Sequence, residues 1–250
     1  MMPGHLPDYL QEYLAILDVA LLSSYGLRLL QGLCVTIEIA AISCALGFVL
    51  AYAICAARMS GNVVLTGIAL CYVTFFRATP LLCLLYLFYY GAGELRPLLT
   101  SLGLWGAFRE ALFCCVLALT LNTAAYQAEI MRGALGSVPG AQVEAARALG
   151  LSKFRIQRHV VWPQALRVAL RPFGNEIIGV IKASSLVAMV TVLDLMGQTR
   201  AIFAATFDFS IYLYAALLYL IMTELVRRAT AAVEQAWSRH LAVAVEAAGN

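Results

Sequence analysis

Charge is what this chain has least of. Its 250 residues hold 17 Lys and Arg and 14 Asp and Glu, 12% of the total, where a soluble domain carries about a quarter. A water-facing globular surface cannot be built from so few ionic groups, which excludes an ordinary soluble domain. The net charge of +3 is small and local, so it gives no footing for nucleic acid. Other absences narrow the chemistry. No GxxxxGK[ST] loop is present to cradle a nucleotide's phosphates. No Ser/His pair, HExxH or paired-aspartate arrangement lies in the apolar stretches, which excludes an intramembrane hydrolase. The seven cysteines, Cys34, Cys44, Cys55, Cys71, Cys83, Cys114 and Cys115, lack both a CxxC spacing and a nearby histidine. They read as packing residues rather than metal ligands or disulfides. The first residues lack a basic n-region and carry Asp8, Glu12 and Asp18. With the apolar run 13–22 broken by Asp18, this is neither a signal peptide nor a span, and an interfacial helix is expected.

What the chain does have is hydrophobic length. Apolar residues make up 62%, and several runs exceed the roughly 20 residues needed to cross about 30 Å of hydrocarbon. An all-α polytopic membrane protein with five transmembrane helices is expected, at about 33–57, 63–90, 111–131, 166–186 and 209–226. The second is long enough to contain a break. Basic residues outside the spans set the orientation. Arg132, Arg147, Lys153, Arg155, Arg158 and Arg167 separate spans three and four, and Arg227, Arg228 and Arg239 follow span five. On the other side each cation has acidic company: Glu94 with Arg96, Arg109 with Glu110, Arg200 with Asp194 and Asp208. The long loop and the C-terminus are therefore expected in the cytoplasm and the N-terminus outside. This divides the chain into an outer interfacial segment (1–31), a membrane domain (32–228) with a cytoplasmic loop at about 132–165, and a cytoplasmic tail (229–250).

The loop is too regular for a linker. A turn at 136–140 opens a helix over 142–149, Gly150 stands where a C-cap glycine belongs, and Ser152 can cap a second helix ending before Pro163. Glu144, Ala145 and Ala146 set small side chains beside one carboxylate, which permits close approach of another backbone. A solvated hairpin binding anionic lipid headgroups is the plainer alternative.

Polar groups inside spans are costly and therefore informative. Asn122, Tyr126 and Glu129 recur at i, i+4, i+7 on one face of span three, either lining a pathway or bonding helices together; Glu129, near the cytoplasmic end, is assigned to structure or gating. Arg77 and Thr79 precede Pro80, which removes a donor and disfavours helix at Thr79. A broken helix bearing an arginine fits a pathway lining or gate, or an ion pair to a carboxylate elsewhere. Span four carries Lys182, Ser184 and Ser185. Glu176 lies six residues before Lys182, on another face, so the two do not pair locally. Lys182 with Ser184 or Ser185 suits the carboxylate of a zwitterion.

Glu144-Ala145-Ala146, Gly150 and Pro163 resemble the EAA loop of the membrane subunits of bacterial ATP-binding cassette (ABC) importers, E-A-A, three residues, G, nine residues, I-x-L-P. Here the end reads Val160-Val161-Trp162-Pro163, a change of bulk rather than charge. Phe76 to Leu82, Leu119 to Tyr126, Ala128 to Gly133, Pro163 to Arg167, Gly174 to Glu176 and Lys182 to Leu186 are similar to the polar amino acid branch of these permeases, nearest its M-type subunits for histidine, lysine, arginine and opines. Ala183 stands where some members have an acidic or polar residue. The resemblance implies a type I, MetI-like architecture in a bacterial inner membrane. It implies import of a polar, cationic L-amino acid or opine, with Glu144, Ala145, Ala146, Gly150 and Pro163 coupling to an ATPase. The implied partners are a P-loop ATPase dimer carrying ATP and Mg, a second permease subunit, sister or identical, and a periplasmic binding protein; no cofactor falls to this chain. The rival expectation is an ion-coupled secondary carrier working as an oligomer, with Lys182 and Glu176 as its relay. Five spans without an inverted repeat make a poor self-contained carrier.

Overall fold

The structure is a computed structural model describing residues 19–248, with side chains from 23 to 237. Most of the expected interfacial helix, residues 13–22, lies outside the described side chains. Among the described residues the secondary structure is helical, without strands. With no water in the hydrocarbon to satisfy backbone N–H and C=O groups, helices are the form apolar runs of this length must take.

Helix α1, Val19–Arg58, is 40 residues long. It begins well before the expected start at 33, because no proline interrupts 19–33, so the anticipated boundary at 31/32 falls inside one helix. The second span is broken as its Thr-Pro step requires. Helices α2, Val63–Ala78, and α3, Leu81–Glu94, meet at 100°, and Thr79 between them is extended at φ −83°, ψ 127°. Two short helices, α4 (Arg96–Ser101) and α5 (Trp105–Phe108), lead to α6, Ala111–Gly136. Helix α6 is the centre of the bundle and packs against α1, α2, α3 and α9. Its buried face is small, with Ala118, Thr123, Ala124, Ala125 and Ala128, which lets neighbouring backbones approach where van der Waals contact replaces the hydrophobic effect.

After α6 come α7 (Gly140–Ala148), α8 (Lys153–Ile156), a π-turn (Gln157–Val161), α9 (Trp162–Ser184) and a 3₁₀ turn (Ser185–Val190). The second loop helix does not stop before Pro163 as the sequence suggested. The chain stays helical from Lys153 to Val190, because the π-turn widens the helix, Trp162 N–H bonding Gln157 C=O. Pro163 then occupies the first turn of α9, where its missing N–H does no harm. The last two helices are α10, Leu195–Thr206, and α11, Ser210–Ala248. The latter carries the expected tail as a continuation of span five. Before it, the Ser210 hydroxyl and N–H both bond Asp208 and hold its carboxyl below the usual range.

Four described helices are long and apolar enough to cross a membrane, and the bent α2–α3 pair supplies a fifth if it counts as one span. Two of them, α1 and α11, are tied to α10 around Asp194, which the sequence offered only as a loop charge opposing Arg200. It is fully buried. It caps α10 by accepting from Gly197 N–H at 2.8 Å, and Tyr219 of α11 donates to it at 3.4 Å. Next to it Leu195 N–H donates to Thr36 Oγ1 of α1 at 3.1 Å. Arg200 instead donates to the Ala188 carbonyl. Glycine is needed where α1 crosses here: a Cβ at Gly32 would stand 2.8 Å from the Asp194 carbonyl oxygen and 2.9 Å from Leu195 Cα. Gly32→Ala should therefore destabilise the purified protein by about 1–3 kcal/mol, the usual cost of overpacking. The check is its melting temperature in detergent; an unchanged value would show that α1 can move aside.

Candidate functional site

The site grows from a single missing donor. In a continuous helix Phe76 C=O would accept from the N–H of residue 80, and Pro80 has none. Asn122 of α6 supplies the substitute, its Nδ2 donating to Phe76 O at 2.8 Å. One turn on, Tyr126 Oη donates to Arg77 O at 3.4 Å, and the Arg77 guanidinium lies over the Tyr126 ring at 5.1 Å. Thr79 closes the end of α2, its N–H and its hydroxyl both bonding Phe75 O, at 3.0 and 2.8 Å. The face read as Asn122, Tyr126 and Glu129 thus meets the break in span two.

Glu129 completes that face as an ion-pair junction. It accepts from Arg132 at 2.7 Å on its own helix and from Arg58 at the end of α1 at 3.3 Å. Arg58, which sequence reasoning passed over, was legible as a cation ending one span at the level of a carboxylate in another. Arg58, Thr74, Arg77, Tyr126 and Glu129 border a recess of about 350 Å³.

Glu176 belongs to a different cluster. Thr123 Oγ1 donates to it at 2.7 Å, and Gln127 Nε2 donates to Thr123 Oγ1 at 3.1 Å and to Cys44 O at 3.3 Å. Thr123 and Gln127 were missed, although their i, i+4 spacing beside the chosen face was visible. As expected from their different faces, Glu176 and Lys182 form no ion pair. Lys182 is exposed, and its ammonium has no hydrogen-bond or ion-pair partner among the described residues. The two serines do not join it as anion donors. Ser184 is buried and donates to Ile181 O, Ser185 donates to Lys182 O, each at 2.7 Å. A hydroxyl has one proton, and both are committed to the backbone.

The basic loop presents a second surface. Gly150 has φ +77°, a left-handed conformation that lets α7 reverse into α8 and that a side chain would strain. Ser152 caps α8 through Arg155 N–H at 3.5 Å, as its spacing predicted. Ala146 corrects the expected docking face. It points inward and packs with Ile156 and Val161, because the short helix needs a core of its own. Glu144 and Ala145 remain outside, with Leu149 81% and Phe154 72% exposed. Phe154 shares a helical face with Arg158 at i, i+4, whereas Leu149 went unread, since a lone leucine at a helix end looks unremarkable in sequence. Gln164 Nε2 bonds Gln142 Oε1 at 2.6 Å and fastens α7 to α9. Among the described residues no three His, Cys, Asp or Glu side chains converge on a metal, and all seven cysteines are free.

Residues 44–239 match the family described as binding-protein-dependent transport system inner membrane component. The chain belongs to this family. Among its relatives is the nopaline transport system permease protein of Agrobacterium fabrum (strain C58), 40% identical over 213 residues, 85% of this chain and 88% of that protein. The histidine/lysine/arginine/ornithine transport system permease protein of Escherichia coli K12 is 38% identical over 211 residues, 84% and 89% of the two chains. In three dimensions the permease superposes on an amino acid ABC transporter solved with histidines, at TM-score 0.77 and 30% identity over 87% of this chain and 98% of that one. It shares its fold with an inward-facing methionine ABC transporter, at TM-score 0.69 and 21% identity over 86% and 98%. The MetI-like helical architecture is thus that of the family.

Replacing Asn122 with Ala leaves the Phe76 carbonyl without a donor. The expected loss is about 1 kcal/mol of stability, in line with interhelical hydrogen bonds in membranes. Thermal unfolding of the purified permease checks it; parent-like melting would mean that water or another group reaches the break.

Proposed function

We propose that the chain is the membrane-spanning subunit of an ATP-driven importer for a polar, cationic amino acid or opine, delivered by a binding protein on the outer face of a bacterial inner membrane. The relatives that transport nopaline and basic amino acids support the substrate class. ATP and Mg belong to a separate ATPase dimer, and a second permease subunit completes the pore. The N-terminus faces outward and the basic loop and C-terminus face the cytoplasm, following the distribution of basic residues. The chain is a permease rather than an enzyme. An ion-coupled carrier finds no support: the matched proteins are transport-system permeases and the matched structures ABC transporters.

One observation carries the reading. The loop at the EAA position presents Glu144, Ala145 and Leu149 outward on a helix held by Gly150 and anchored by Ala146. A short helix standing on its own small core can be pushed as a body. Because α7 is fastened to α9 through Gln142 and Gln164, and the chain stays helical from Lys153 to Val190, its displacement reaches Lys182. From Trp162 to Ser184 the helix is 23 residues long, about 35 Å at 1.5 Å per residue. In this reading ATPase closure rocks α9, while Arg77 and Lys182, cations without ion-pair partners among the described residues, face the anionic end of the passing substrate.

Glu144→Lys, and separately Gly150→Leu, should abolish uptake while leaving membrane abundance near the parent's. Normal uptake in both variants would sink the coupling role. Lys182→Met should lower uptake about tenfold or more, the worth of a charge-assisted hydrogen bond. Lys182→Arg should rescue it poorly, since a planar fork does not replace a point charge. Substrate-stimulated ATPase in the reconstituted complex is the measurement, and parent-like stimulation in Lys182→Met removes Lys182 from the pathway.

A further inference from the structure

A second hollow lies away from the recess at the broken span. A cleft of about 860 Å³ opens at the basic end, between the last turns of α1 and α6 and the π-turn after α8. Tyr52 of α1, Met59 just after it, Met131 and Leu135 of α6, and Phe154 and Trp162 give it apolar walls. Its volume falls in the range of ligand sites, roughly 300–1,000 Å³. No carboxylate lines it. One charged group does: Arg158 is exposed and has no ion-pair partner among the described residues. Lys153 and Arg155 stand nearby on α8, equally without one. Glu129 of α6 is already held by Arg58 and Arg132.

The depth of the cleft is set by its neighbours. Helix α1 ends at Arg58 and α6 ends at Gly136, so the cleft lies where the apolar segments give out. Tyr52 and Trp162 stack across it, ring centroids 6.2 Å apart and planes at 25°. Paired Tyr and Trp rings favour the boundary between hydrocarbon and water, where an apolar body and a polar edge are both satisfied. An apolar slot at that level with an unpaired cation at its rim matches a molecule with a long apolar tail and an anionic head.

We infer that the cleft binds one anionic phospholipid of the surrounding bilayer, with an acyl chain between α1 and α6 and the phosphate at Arg158. Lipid in this position touches both α1 and the root of the basic loop, so the loop that meets the partner subunit rests partly on the membrane. A zwitterionic lipid fills the slot but adds no net charge for Arg158 to hold. The site therefore discriminates by charge.

Trp162 is a built-in probe. The chain is purified with the subunits that copurify with it and placed in bilayer discs of phosphatidylcholine. Phosphatidylglycerol or phosphatidylcholine brominated in its acyl chains is then titrated in. The signal is the difference in tryptophan quenching from the same complex carrying Trp162→Phe. Brominated phosphatidylglycerol should reach half-quenching at about fivefold lower mole fraction than brominated phosphatidylcholine, the worth of one basic side chain at an anionic surface. Arg158→Gln, at an exposed position, should erase that preference. Ala56→Phe, which fills the cleft wall, should weaken quenching by both lipids. The proposal is overturned by equal quenching in the parent complex, by a preference that survives Arg158→Gln, or by strong quenching that persists with Ala56→Phe. Absence of quenching by either lipid would place a protein partner in the cleft and overturn it as well.

Discussion

Inside a membrane a backbone carbonyl without a donor has no water to turn to, and Pro80 creates such a carbonyl at Phe76. The rest of the bundle is arranged around that deficit. Asn122 fills it, Tyr126 supports the next carbonyl, and both stand on α6, which is why α6 must pass close to the break and why its buried face is built of Ala and Thr. The 100° turn between α2 and α3 then brings Arg77 over Tyr126 and opens the recess above Glu129. A polar stripe on one helix and a proline on another are two halves of one structural solution.

The same economy operates at Asp194. A fully buried carboxylate is expensive unless it is hydrogen-bonded, and here it is bonded by the cap of α10 and by Tyr219, beside a Leu195–Thr36 bond to α1. These bonds join α10 and α11 to α1, which lies far from both in sequence. Packing among small residues carries the remaining contacts, with Gly32 permitting the closest of them. The bundle is thus held at several polar points: the span break, Asp194, the Arg58–Glu129 pair, and Glu176, whose bond from Thr123 ties α9 to α6.

That arrangement separates a fixed part of the molecule from a part fit to move. Polar groups on α1, α2, α6, α9, α10 and α11 are cross-linked to one another. The α7–α8 hairpin rests on a small core of Ala146, Ile156 and Val161, packed against Leu135 of α6, and on the Gln142–Gln164 bond. The π-turn between it and α9 leaves the chain helical from Lys153 to Val190.

The sequence by itself determined the spans, the break before Pro80, the polar face of α6, the glycine cap at Gly150 and the family, because each depends on local chemistry: hydrocarbon length, a missing N–H, helical periodicity, a left-handed backbone. Tertiary structure alone decided which partners those groups found. Periodicity places Asn122 and Tyr126 on one face but cannot say that the face meets Phe76 and Arg77. Spacing sets Ser184 and Ser185 beside Lys182 but cannot show their protons committed to the backbone. Composition makes Ala146 small without revealing that it points inward, and it leaves Asp194 looking like a loop charge. Position 163 is a proline in either view, yet whether it ends a helix or begins one depended on a π-turn stabilised by packing that the linear chain does not display.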